Sequence, residues 1–257
     1  MCFDSGARPP IAPIAGGALD TQIVTLTSAD GSNFAAYVAR AASPSGVGMV
    51  ILPDIRGLHH YYEELADRFA EHGIDAIAFD YFGRTAGVGR GEARGDAFEW
   101  QPHVAQTKST QISEDTAAAI AHLRGVAPSV TSIFTVGFCF GGSQSWLQAA
   151  NGHGLAGAIG FYGRPGGPTR DGAPSPLERV NEYAAPLLGL FGGDDPGIPA
   201  AAINEFDQAL TAASKPHAFS IYPGAPHSFF DRRFTEWADA CANAWEKIQA
   251  FIKTNAG

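Results

Sequence analysis

The segment from Ser132 to Ala150 constrains the fold more than any other part of the chain. An apolar strand, Ser132–Val136, runs into Gly137-Phe138-Cys139-Phe140-Gly141-Gly142, and a helix spanning Gly142–Ala150 follows with no loop between. A chain that passes from strand to helix this abruptly must reverse within a residue or two. Glycines two before and two after Cys139 remove the side chains that would collide in that turn, and the side chain between them is left projecting above a sheet. The following helix aims the positive end of its dipole at the sulfur, which favours thiolate over thiol. The backbone N–H of Phe140 is then placed to meet a developing oxyanion. Cys139 is therefore the candidate nucleophile.

Apolar runs on either side of this segment give the architecture. Ile23–Leu26 and Phe34–Ala39 read as short strands joined at Asp30-Gly31, a hairpin signal. Val47–Leu52, Ile74–Phe79, Leu155–Phe161, Leu187–Phe191 and Ala218–Tyr222 are short and apolar, as buried strands are. Helices are expected over Tyr62–Glu71, Ser113–Arg124 with a serine cap, Pro199–Ala213 and Thr235–Lys253. The last of these sets Trp237, Cys241, Ala244, Trp245, Ile248 and Ile252 at helical spacing. Residues 81–108, with five glycines and three arginines, carry little period and read as a long excursion at one end of the sheet. This alternation predicts an α/β fold, a mostly parallel central sheet with helices on both faces. Residues 1–20, rich in Pro, Gly and Ala, read as an arm on the surface, and residues 21–257 as a single domain.

A cysteine needs a base, and the base needs an orienting acid. In sheet enzymes with a strand–nucleophile–helix turn, the order along the chain is nucleophile, acid, histidine. Downstream of Cys139, the strand Leu187–Phe191 ends in Gly192-Gly193-Asp194-Asp195-Pro196. Asp195 is taken as the acid, with Asp194 capping the turn. The last strand is followed by Pro223-Gly224-Ala225-Pro226-His227-Ser228-Phe229, which makes His227 the base. His59, His60, His72, His103, His122 and His153 precede the acid, and His217 opens a strand.

Composition excludes other classes. The formal charge is −9 and the pI about 5.3, so neither nucleic acid nor an anionic membrane is an expected partner. The three cysteines, Cys2, Cys139 and Cys241, are widely spaced and match no zinc pattern. Cys241 is expected in the core and Cys2 on the exposed arm. With no signal-like start and no apolar run long enough to cross a bilayer, a soluble, cytoplasmic protein is expected. No Walker loop, dinucleotide fingerprint or ligand cluster is found, so no cofactor or metal is expected.

The Gly-Phe-Cys-Phe-Gly-Gly turn, the Gly-Gly-Asp-Asp turn and Pro226-His227-Ser228-Phe229 together resemble the dienelactone hydrolase (carboxymethylenebutenolidase) family, over about residues 23–251. The cysteine is the specific part, since most α/β-hydrolases carry serine there. The resemblance implies an α/β-hydrolase fold and action on a small ester or lactone. In Leu52-Pro53-Asp54-Ile55-Arg56-Gly57 it implies a second oxyanion donor, the N–H of Ile55, beside that of Phe140. It also implies that Asp54 pairs with the resting cysteine, although the best-known members have glutamate at that point. Arginines that bind a substrate carboxylate are a further implication. Arg56, Arg84, Arg90, Arg94, Arg232 and Arg233 are candidates. Arg94 and Arg232 are taken as the clamp, with Trp100 as an apolar wall.

The expected activity is hydrolysis of a small ester or lactone through a thioester on Cys139, by a monomer or small homo-oligomer. The alternatives are a general carboxylesterase or thioesterase with the same triad, and a non-catalytic binding protein on this scaffold. The alternatives part on whether Cys139 is reactive and whether an anionic lactone is preferred.

Overall fold

The computed structural model describes residues 3–257, so the expectation for Cys2 lies outside the described residues. The strands are β1 (Ala18–Thr27), β2 (Asn33–Ala41), β3 (Val47–Leu52), β4 (Ile74–Phe79), β5 (Ser132–Phe138), β6 (Gly157–Phe161), β7 (Leu187–Gly192) and β8 (His217–Tyr222). The helices are α1 (His60–Glu71), α2 (Gly83–Ala86), α3 (Gln101–Val104), α4 (Ser109–Val126), α5 (Phe140–Gln148), α6 (Ala200–Ala212) and α7 (Ala238–Asn255). All the strands join one sheet in the order β1-β2-β4-β3-β5-β6-β7-β8. The pairings β1/β2 and β2/β4 are antiparallel and the rest parallel.

Every residue of β3, β4, β5, β6 and β7 is buried, as a sheet covered on both faces requires. One core cluster packs α1 and α7 against the sheet, and a second packs Ile112, Ala119, Ile120 and Leu123 of α4. Cys241 sits in the first, 2% exposed, as its helical spacing predicts. Among the described residues, no helix is long and apolar enough to cross a membrane.

Several boundaries differ from the sequence reading. Strand β1 begins at Ala18, because the edge strand needs only partner hydrogen bonds and not an apolar run. Helix α4 begins four residues earlier than its expected serine cap, with the Lys108 N–H held by Gln111 Oε1 at 3.2 Å. Ser113 lies inside the helix, where its hydroxyl meets His153. Helix α5 starts at Phe140, immediately after the turn. The opening arm does not lie wholly on the surface: Phe3, Ala7 and Ile11 are buried in the first core cluster.

The chain runs from β3 to β4 on one side and then to β5 on the other. The C-terminal ends of β3 and β5 are thus adjacent where the strand order reverses, with Leu52 opposite Gly137. In open α/β sheets ligands bind at such a crevice.

Candidate active site

Cys139 occupies the turn between β5 and α5 with φ 55° and ψ −114°, a conformation that non-glycine residues rarely hold. The glycines around it are sterically required. A Cβ on Gly137 would lie 1.9 Å from the carbonyl oxygen of Gly141, and one on Gly141 would lie 2.1 Å from that of Leu52. The Cys139 carbonyl accepts the N–H of Gly142 at 3.0 Å, which closes the first turn of α5. Phe140 opens that helix, so its N–H has no partner one turn back.

The C-terminal edge of the sheet brings the other candidates to this point. Asp195 follows β7 and is 6% exposed, and its Oδ1 accepts the N–H of Gly197 at 2.9 Å. His227 follows β8, and its Nδ1 lies 2.5 Å from Asp195 Oδ2. The imidazole is also hydrogen-bonded to the Cys139 side chain. Burial alone would lower the His227 pKa, but Asp195 and Cys139 outweigh it and raise it to about 9. Burial would raise the Asp195 carboxyl, but the His227 hydrogen bond and charge hold it below the usual carboxylate range. Tyr162, whose ring is 4.8 Å from that of His227, has φ 35°, and Ser228 has φ 65°. Of the four described non-glycine residues with positive φ, all but Ser214 thus lie around this site, as strain tends to at functional sites.

These residues face a cleft of about 530 Å³. Ile55, Cys139, Phe140, Tyr162 and His227 line one part of it. The loop after β6, residues 164–171, walls the other and carries Arg164 and Arg170, both exposed. Asp171 ties that loop to the start of α4, its Oδ2 accepting the Ser109 N–H at 2.6 Å. Gln144, one turn into α5 and 5% exposed, also lines the cleft.

Asp54 is fully buried under Ile55. Its Oδ1 accepts the Arg56 N–H at 2.9 Å and lies 3.5 Å from His59 Nε2, while its Oδ2 is buried with no hydrogen-bond partner among the described residues. Burial pushes this carboxyl up, but His59 and Arg56 outweigh it and hold it below its ordinary value.

The expected carboxylate clamp requires correction. Arg94 is 3% exposed and grips Asp80 through two contacts of 3.1 and 3.0 Å. A buried carboxylate demands such a partner, and Arg94 is consumed by it. Arg232 pairs with Glu64 at 3.3 Å, and Trp100 packs on the α4 side of the core. None of the three lines the cleft. The arginines that line it are Arg164 and Arg170. Their place past β6, the strand beside the cysteine strand, puts them at this rim of the sheet but does not say which way the loop turns them.

A mostly parallel sheet of this order, with its cleft at the strand C-termini beside a strained strand–helix turn, defines an α/β-hydrolase. The sequence model of the dienelactone hydrolase family matches residues 34–256. The chain belongs to that family and is a carboxymethylenebutenolidase-like hydrolase. A protein of Escherichia coli K12 assigned as a carboxymethylenebutenolidase is 28% identical over 268 residues, covering 98% of this chain and 96% of that one. One from Methylorubrum extorquens with the same assignment is 30% identical over 212 residues, covering 80% and 71%. The crystal structure of a protein assigned as a dienelactone hydrolase from Klebsiella pneumoniae superposes with a TM-score of 0.77 at 26% identity, over 91% of this chain and 99% of that one.

Proposed function

We propose that this chain hydrolyses small esters or lactones through a thioester on Cys139, with His227 carrying the proton and Asp195 anchoring His227. The observation that supports it is the position of His227, which bridges Asp195 and the Cys139 side chain at the cleft.

His227 holds the thiol proton as an imidazolium, and the thiolate so formed attacks the carbonyl carbon. Negative charge builds on the carbonyl oxygen, where the N–H groups of Ile55 and Phe140 receive it. The tetrahedral species collapses, the carbon–oxygen bond breaks, and His227 hands its proton to the departing alkoxide. In a lactone that alkoxide stays tethered to the acyl group. Water, giving a proton to His227, then attacks the thioester and releases the carboxylic acid and the thiol. Asp54 is the proposed resting partner of the cysteine, as a carboxylate that His59 and Arg56 keep charged beneath the Ile55 side of the site.

Arg164 and Arg170 at the rim favour an anionic ester or lactone over a neutral one. A thiol with this role requires a reducing compartment, so the cytoplasm is the proposed location.

The test is turnover of p-nitrophenyl acetate and of dienelactone by wild type and Cys139→Ala. A loss of about three or more orders of magnitude is expected. Acid-quenched enzyme is expected to carry the acyl group on Cys139 in the mass spectrum. Turnover undiminished by Cys139→Ala overturns the reading.

A further inference from the structure

Residues 3–11 lie outside the segment that the family model matches, residues 34–256, yet they pack directly behind the site. Phe3 is 2% exposed. Its ring stacks on Tyr61 at 3.9 Å and meets Phe138 edge-on at 6.1 Å and Tyr162 at 6.4 Å. Phe138 precedes Cys139 in the chain, and Tyr162 lies against His227. Tyr61 donates its hydroxyl to the Phe230 carbonyl at 2.6 Å, in the loop that begins at His227.

Past Phe3, the arm clasps the same loop by its backbone. The Arg8 N–H donates to Asp231 Oδ1 at 3.1 Å, the Arg232 N–H donates to the Arg8 carbonyl at 3.1 Å, and Arg233 pairs with Asp4. Asp231 is itself 2% exposed. A third tie runs to the Ile55 side. The Ser5 N–H donates to Asp96 Oδ2 at 3.2 Å, and Asp96 Oδ1 pairs with buried Arg56 at 2.7 Å. One short segment therefore touches the strand under Cys139, the loop of His227 and the partner of Arg56.

We propose that this arm is a brace of the active site, with Phe3 a positioning residue that sets the loop of His227 against the Cys139 turn. The inference rests on the Cys139–His227 reading above. The exposed ion pairs contribute little by themselves. The buried ring is the anchor, because it fills the space between Tyr61, which holds the histidine loop, and Phe138, which underlies the cysteine. Removing the ring leaves a void into which both walls can relax. The hydrogen bond between sulfur and imidazole then loosens, and geometry errors of this size are costly to a reaction that depends on alignment.

The experiment compares full-length wild type, Phe3→Ala, Phe3→Leu, Asp231→Asn and Cys139→Ala on a p-nitrophenyl ester, with kcat, KM, the pH profile of kcat/KM and thermal stability. Phe3→Ala is expected to lose about tenfold to a hundredfold in kcat, with KM changed by less than about threefold. Its alkaline limb is expected at lower pH than in wild type, because His227 keeps less of its partners' support. Phe3→Leu restores most of both. Asp231→Asn moves both in the same direction by less, and it carries the test if Phe3→Ala does not fold. If Phe3→Ala and Asp231→Asn lose only thermal stability, with kcat and the alkaline limb unchanged, the arm is ordinary packing and the inference fails. If Cys139→Ala retains wild-type turnover, the cysteine reading fails and the inference falls with it.

Discussion

His227 Nδ1 and Asp195 Oδ2 stand 2.5 Å apart, on loops that follow two neighbouring parallel strands, β7 and β8. The contact fixes the ring and directs its other nitrogen edge to Cys139. It also keeps the ring protonated to unusually high pH, since its pKa is raised to about 9.

The alkaline limb of kcat/KM is the direct readout of that shift. Below about pH 9 the imidazolium is present to protonate the leaving group, and above it the neutral ring is not. Activity is therefore expected to hold through neutral pH and to fall as pH rises through about 9. In Asp195→Asn the raising influence of the carboxylate is lost, so the limb moves to lower pH. Turnover is expected to drop by about 10²- to 10⁴-fold. A limb that stays in place in Asp195→Asn contradicts the assignment.

Arginines of the two kinds separate by assay. Arg94→Ala strands the buried Asp80 carboxylate, so a loss of about 3–5 kcal/mol in unfolding free energy is expected, whatever the substrate. Arg164→Ala and Arg170→Ala leave stability unchanged. They are expected to raise KM for an anionic ester by about tenfold and to leave that for a neutral ester near wild type. Chemical denaturation and paired kinetics distinguish these outcomes.

Two glycine replacements have opposite signs. Gly141→Ala drives a Cβ into the carbonyl oxygens of Leu52 and Pro53, at 2.1 and 2.2 Å, and is expected to give little soluble protein. Gly125 lies near the end of α4 with nothing within 4 Å of where a Cβ would sit. Gly125→Ala is expected to stabilise by about 0.5–1 kcal/mol, seen as a higher unfolding midpoint.

The two described cysteines should label very differently. Burial raises the Cys241 thiol to about 12, and its sulfur donates to the Phe229 carbonyl at 3.2 Å. In a Cys2→Ser background at neutral pH, iodoacetamide is expected to modify Cys139 and leave Cys241 intact. Peptide mapping checks this, and equal labelling counts against an activated Cys139.

What was legible in the sequence was what local chain geometry dictates. The Cys139 turn could be read because its demands fall within two residues on either side. Asp195 and His227 could be read because each follows an apolar strand, and a strand end fixes which rim of the sheet a side chain reaches. The arginines could not be read this way. Whether Arg94 or Arg164 faces the cleft depends on the path of a glycine-rich loop and on which buried carboxylate needs a partner. Phe3 was illegible for a related reason. Its socket is built from Tyr61, Phe138 and Tyr162, which come together only in the finished fold.

The backbone angles at Cys139 exist only while β5 and α5 hold the turn between them. A denatured chain spends almost no time there, and its sulfur has neither the helix end nor the imidazole nearby. On the proposed mechanism, denaturation converts an activated sulfur into an ordinary one, even though every covalent bond is intact. The amplitude of the fast alkylation phase at Cys139 is then expected to count native molecules, so that a partly denatured sample can be quantified without any substrate.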